Sequence, residues 1–165
     1  MVVEVKPGEE NFLKVNGIQY EPCEDFVPFP LSAEGGGRAE AVFAGYGFQI
    51  NEDSLKWDDY KGIDVEGKWL LLLRGDPEPD KSDSKFLEHS ELRNKILTAR
   101  DKKALGILFV SGPDFDEEDE LVSMTTSRVL ASAGLPVFHI KRRIADDILK
   151  SSGKTVSALE KLLND

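Results

Sequence analysis

The chain has 165 residues, 40% of them apolar and 32% charged, with 21 basic and 31 acidic side chains and a net charge of −10. That length and composition suit one globular domain with a single core. The acidic balance argues against a nucleic-acid partner, which needs a basic face to displace counterions from phosphates. The single cysteine, Cys23, rules out an internal disulfide. No apolar run approaches membrane-spanning length, and Met1-Val2-Val3-Glu4-Val5-Lys6 has no charged-then-apolar leader.

Taken in order, the first segments read as β structure. Phe12–Val15 and Ile18–Tyr20 flank Asn16-Gly17, whose residues both accept positive φ and suit a tight hairpin turn. Phe26–Leu31 is apolar but carries Pro28 and Pro30, the pattern of an edge or extended segment. Gly35-Gly36-Gly37 is a flexible turn. Glu40–Phe48 reads as a strand, with Gly45 and Gly47 marking a bulge or a close backbone approach. Asn51–Gly62 is polar and acidic with Leu55, Trp57 and Tyr60 embedded, and is expected to form a short helical turn whose aromatics dock on the core.

Gly67–Pro77 contains the clearest strand, Trp69-Leu70-Leu71-Leu72-Leu73. An unbroken apolar run of this length implies burial on both faces. A polar loop from Glu78 to Lys85 follows. Ser90–Ala104 is a predicted helix with Leu92, Ile96 and Ala99 on one face and an expected Glu91–Lys95 pair at i,i+4. Gly106–Ser111 is a second buried strand, which completes a βαβ-like unit. Asp114–Glu120 is an acidic exposed loop. Leu135–Ile140 is a further strand, and Arg143–Lys150 is a short helix stopped at Ser152-Gly153. Val156–Leu163 closes the chain as an amphipathic helix, in which Ser157 and Glu160 have capping-box spacing.

Four segments in this order carry a family resemblance: Ala41–Gly47, Trp57–Val65, Glu66–Pro77 and Ala99–Val110. The series is similar to the protease-associated (PA) domain inserted into bacterial zinc aminopeptidases of the co-catalytic dizinc type. Phe29-Pro30-Leu31-Ser32 resembles the lead-in to that insert. Ala145–Lys150 with Ser152–Thr155 resembles its exit. The resemblance covers residues 26–163 or so of a single domain spanning 1–165, with 1–25 as an N-terminal β hairpin joining it to the rest of a parent protein. One departure is Lys103, where the family often has glycine; it is expected to alter only the turn from helix to strand.

The resemblance implies an α+β fold of the swivelling β/β/α type, a β-sandwich or partly open barrel with flanking helices. It also implies a non-catalytic role: shaping access to a parent enzyme's metal site, or binding peptide or protein. The chain is then a segment of a longer, exported peptidase. No cofactor is expected in it, zinc belongs to the parent catalytic domain, and its partners are that peptidase domain and peptide substrate. The alternative is a free-standing interaction domain without a peptidase. If there is a binding surface, its candidates are Tyr46, Trp57, Asp58, Asp59 and Tyr60, since aromatics beside acids suit a peptide with a free amino end. The same residues equally suit packing, with the aromatics covering the sheet end and the acids bonding backbone amides.

The residues for catalysis are missing from the sequence. A dizinc site needs about five ligands and a general-base carboxylate. Only His89 and His139 are present, and neither begins a His-X-Asp motif. His89 reads as a solvent-facing loop residue and His139 as a satisfied strand residue. Cys23 reads as a small buried apolar group. Asp114–Glu120 lacks the glycine and terminal glutamate of a calcium loop, and Gly153-Lys154-Thr155 lacks the upstream glycine of a phosphate loop.

Overall fold

A computed structural model describes residues 2–6, 12–123 and 132–165. Strands β1 (Val2–Lys6), β2 (Phe12–Val15), β3 (Ile18–Tyr20), β4 (Phe26–Pro28), β5 (Gly37–Phe43), β8 (Trp69–Leu73), β9 (Gly106–Val110) and β10 (Val137–Ile140) form one sheet in the order β3-β2-β1-β5-β8-β9-β10-β4. A hairpin of β6 (Gln49–Asn51) and β7 (Lys56–Asp58) stands apart from it. Helix α1 (Leu92–Asp101) covers one face, and α2 (Arg142–Leu149) and α3 (Val156–Asn164) cover the other. The expected α+β class is the one observed.

The middle of the sheet is parallel. β5 pairs β8, β8 pairs β9 and β9 pairs β10 in the same direction. Burial on both faces follows from strict alternation along each strand. Leu70, Leu72, Ile107 and Phe109 point to the α1 side with Ile96 and Ala99. Trp69, Leu71, Leu73, Leu108 and Val110 point to the α2–α3 side with Ile144, Ile148, Val156 and Leu159. Each such leucine removed from water stabilises the fold by about 1.5–3 kcal/mol.

The outer strands are antiparallel and curl. β5 serves two neighbours in succession: Gly37 to Glu40 pair with β1, and Ala41 to Phe43 pair with β8. Leu13, Val15 and Tyr20 are buried in the same core as Phe26 and Phe138, so the two ends of the sheet approach one another. Those ends, β3 and β4, are joined by only Glu21–Asp25, and α2 seals the gap. Tyr20 Oη donates to Asp147, and Arg143 bonds Asp25. The result is a barrel left partly open, with side chains rather than a backbone ladder closing it.

Several local expectations change. β5 ends at Phe43, because Gly45 and Gly47 take φ of +54° and +75° and turn the chain out of the sheet. The segment from Asn51 is a β-hairpin and not a helical turn. Its strands are three residues long and polar-apolar-polar, with Ile50 opposite Trp57, a pattern too short to betray its period. β4 is the edge strand its prolines imply. The Asn16-Gly17 turn has φ of +50° and +85°. Val2–Lys6 adds a strand to the Phe12–Tyr20 hairpin and pairs both β2 and β5. Cys23 is exposed, not buried, with φ +68°. The first turn of α3 is capped by Thr155, whose Oγ1 accepts from Ala158 N at 3.3 Å, so Ser157 and Glu160 form no capping box.

Lys103 occupies a backbone position that favours glycine. It follows α1 with φ +63°, donates to Arg100 O at 2.8 Å and accepts from Gly67 N at 2.9 Å. A side chain in this left-handed region costs about 1–2 kcal/mol that glycine avoids, less glycine's larger entropy loss on folding. Lys103→Gly is therefore expected to raise stability by about 1 kcal/mol, read as a higher denaturant midpoint at unchanged m-value.

Candidate functional site

In open sheets with parallel strands, binding sites form beyond the carboxyl ends of the strands. Here those ends deliver Ala44–Phe48 after β5, Arg74–Pro77 after β8 and Ser111–Asp114 after β9 to one corner of the molecule. Gly45 permits a close approach: a Cβ there would collide with the Asp59 carboxylate.

Asp59 organises this corner. Its carboxylate accepts from Tyr46 N at 3.1 Å, Phe48 N at 2.9 Å and Trp57 Nε1 at 2.8 Å. It thus ties the turn after β5 to the β6–β7 hairpin. Burial raises its carboxyl above the usual range, while these three donors and the Lys95 cation pull it back. Asp58 is exposed and accepts from Tyr60 N at 3.0 Å. The backbone-bonding role expected of both acids is what the geometry shows.

The five residues picked from the sequence divide by exposure. Tyr46 and Tyr60 are buried, Asp59 and Trp57 are half-buried, and Asp58 faces solvent. Trp57 and Asp58 line a shallow cleft of about 680 Å³ along the hairpin, together with Gln49, Asn51, Lys56 and Lys61. Behind it runs an aromatic ladder. Trp57 meets Phe86 edge-on at 5.2 Å, Phe86 stacks on Phe48 at 5.5 Å, and Phe48 stacks on Tyr46 at 5.8 Å.

At the inner end of the ladder lies Lys95, which is only 1% exposed. Its ammonium donates to Gly75 O at 2.6 Å and Leu73 O at 3.2 Å. It also sits 4.8 Å from the Phe48 ring and 5.5 Å from the Tyr46 ring. The expected pair with Glu91 does not form. Lys95 is three residues after Leu92 and four before Ala99, so it belongs to the apolar stripe and is drawn inward with it. Burial pushes the group down to about 7, against the pull of Asp59 and Asp76.

A second chain of polar groups runs outward from Tyr46. Its hydroxyl donates to Asn164 Oδ1 at 2.6 Å, and Asn164 Nδ2 donates to Asp114 Oδ2 at 3.1 Å. Asp114 N donates to Glu160 Oε2 at 2.9 Å. Glu160 is buried, its carboxyl raised chiefly by burial, and its Oε1 has no hydrogen-bond partner among the described residues. Asp114 and Asn164 form one wall of a cleft of about 410 Å³, and Pro77–Lys81 form the other.

The two histidines stand apart from this corner's chemistry. His89 lies beside Glu52 at 3.3 Å. His139 is fully buried: Val122 N donates to its Nδ1 at 3.0 Å, so Nε2 carries the proton and faces Ser111 Oγ at 3.3 Å. The ring nitrogen beside the hydroxyl is thus a donor, the reverse of what a general base requires. Burial holds this imidazole down at about 3, so it stays neutral. The acidic loop is less free than its composition implies. Arg142 N donates to Asp119 Oδ2 at 2.8 Å, and Arg142 Nη2 to Asp116 O at 2.5 Å, which anchors the start of α2. Among the described residues no group of three or more His, Cys, Asp or Glu is placed to hold a metal ion.

Two outcomes follow from the Asp59–Lys95 corner. Asp59→Ala strands three donors and is expected to cost about 3 kcal/mol in chemical denaturation. Lys95 has a lowered folded pKa, so its cost to stability is fully present below about pH 7 and is relieved as pH rises toward the unfolded value of 10.5. Between pH 7 and 9.5, wild-type stability should therefore rise relative to Lys95→Met by up to about 1.4 kcal/mol per pH unit, measured by urea melts at each pH.

Comparison with known proteins rests on the fold. No protein-family model matches the chain, and no curated protein matches it. Among solved structures, an aminopeptidase from Aneurinibacillus sp. strain AM-1 superposes on 93% of this chain with a TM-score of 0.51 and 16% identity. This chain spans 28% of the length of that aminopeptidase. At such identity the likeness is one of fold: the chain is folded as a part of an aminopeptidase is folded.

Proposed function

We propose that this chain is a non-catalytic, protease-associated-type domain of a larger, exported zinc aminopeptidase. The supporting observation is that nearly all of this chain superposes on about a quarter of an aminopeptidase. In this reading zinc and hydrolysis belong to the peptidase domain of the same chain. This domain flanks that active site, limits what reaches it, and holds part of the peptide.

The hairpin cleft is the surface for peptide. Trp57 offers a ring face stiffened from behind by Phe86, and exposed Asp58 offers a carboxylate for a free amino end. The short strands β6 and β7 leave backbone edges to which an extended peptide can bond. Tyr46, Asp59 and Tyr60 act from beneath, by fixing the hairpin's position.

The domain alone is expected to hydrolyse no aminopeptidase substrate and to bind no stoichiometric zinc; turnover with bound zinc would overturn the reading. Peptide binding has an optical readout. The chain holds two tryptophans, and Trp69 is wholly buried. Emission changes on adding a short peptide with a free amino end should therefore come from Trp57, and Asp58→Asn should weaken them severalfold. No change up to about millimolar peptide would remove the binding role and leave that of shaping access.

A further inference from the structure

The β6–β7 hairpin has two unlike faces. Its register sets Gln49 opposite Asp58, Ile50 opposite Trp57 and Asn51 opposite Lys56. Residues opposite one another, and residues two apart along a strand, share a face. Ile50 and Trp57 therefore point the same way, and both pack against the core. Gln49, Asn51, Lys56 and Asp58 share the outer face, and all four are exposed. The same four line the cleft of about 680 Å³ along the hairpin.

This outer face carries one charge of each sign on the same strand. Asp58 and Lys56 are two residues apart on β7, about 7 Å along it. Gln49 and Asn51 stand across from them at about 5 Å. Asp58 Oδ1 accepts from Tyr60 N at 3.0 Å, which fixes the direction of the carboxylate while Oδ2 can take a further donor. Lys56 enters no ion pair among the described residues. The acid in the hairpin turn, Glu52, faces His89 at 3.3 Å instead. The face thus offers an anion at one end, a cation at the other and two amides alongside.

We infer that this face binds a dipeptide with both ends free. Two residues of extended chain span at most about 7 Å, which matches the spacing of the two charges. With the dipeptide's ammonium at Asp58, its carboxylate falls at Lys56. The Gln49 and Asn51 amides, each a donor and an acceptor, take the peptide group between the ends. A longer peptide, or one with a blocked carboxyl, keeps the contact at Asp58 and loses the one at Lys56. The inference rests on the reading of this cleft as a peptide surface and adds to it a selectivity for length.

NMR titration of the isotope-labelled 165-residue chain tests it. Alanyl-alanine is compared with its C-terminal amide and its N-acetyl form, and binding is followed at the side-chain amides of Gln49 and Asn51. The free dipeptide is expected to bind about 3-fold more tightly than its amide, with the gap narrowing at high salt. Lys56→Gln should bind the two alike, and Lys56→Arg should keep the preference. Equal affinities for the dipeptide and its amide in the wild type overturn the selectivity but leave the amino-end reading standing. So does a preference that survives Lys56→Gln. Equal binding of the N-acetyl form removes the Asp58 contact and both readings with it. So does the absence of any shift at the hairpin up to about 10 mM dipeptide.

Discussion

The ammonium of Lys95 is the interaction on which the corner beyond the strand ends depends. Where a strand leaves a sheet its last carbonyls normally turn to water. Here Leu73 O and Gly75 O receive a cation from α1, on the next element of the chain. The same cation lies against the Phe48 and Tyr46 rings, which Asp59 places through their backbone amides. Helix, strand end, turn and hairpin are therefore referenced to one buried charge. A charge so placed is costly to bury and costlier to strand, and both costs favour a single arrangement of the groups around it.

That arrangement accounts for the relation between core and surface in this protein. The Trp57 ring is held through Phe86, Phe48 and Tyr46 down to Lys95, and Tyr46 passes the linkage to Asn164, Asp114 and Glu160. The clefts on the two sides of the corner, one by the hairpin and one by Asp114, share a single support. A surface built on such a ladder is presented with its side chains already fixed.

Much of the architecture could be read in the sequence where the pattern was long. Leu70–Leu73 and Ile107–Val110 declared a two-sided core, and Asn16-Gly17 and the prolines after Phe26 marked a turn and an edge. The hairpin around Trp57 escaped because two three-residue strands do not establish a period. The buried charges escaped for another reason. Lys95 falls among Leu92, Ile96 and Ala99, and Glu160 among Val156, Leu159 and Leu163, at helical spacings that place them on the apolar face. Residue type pointed outward and position pointed inward, and position prevailed because carbonyls and an amide stood ready to meet the charge. Of the candidate residues, the roles of Asp58 and Asp59 toward backbone amides were legible as turn chemistry, whereas the burial of Tyr46 depends on α1 and α3 and could not be seen locally.

The seam between β3 and β4 carries a mechanical consequence. Most of the sheet is laced by ladders of backbone bonds, which give way only together. Across the seam no ladder joins β3 to β4; the ties are turn bonds within Glu21–Phe26, the bond from Lys141 N to Asp25 O, and two side-chain contacts to α2, Tyr20 with Asp147 and Asp25 with Arg143. Load on the domain will not be shared evenly: the parallel strands act as a stiff plate, whereas the β2–β3 ribbon is held by its ladder to β1 and by the packing of Leu13, Val15 and Tyr20. Local opening is therefore expected to begin at that seam while the plate stays whole.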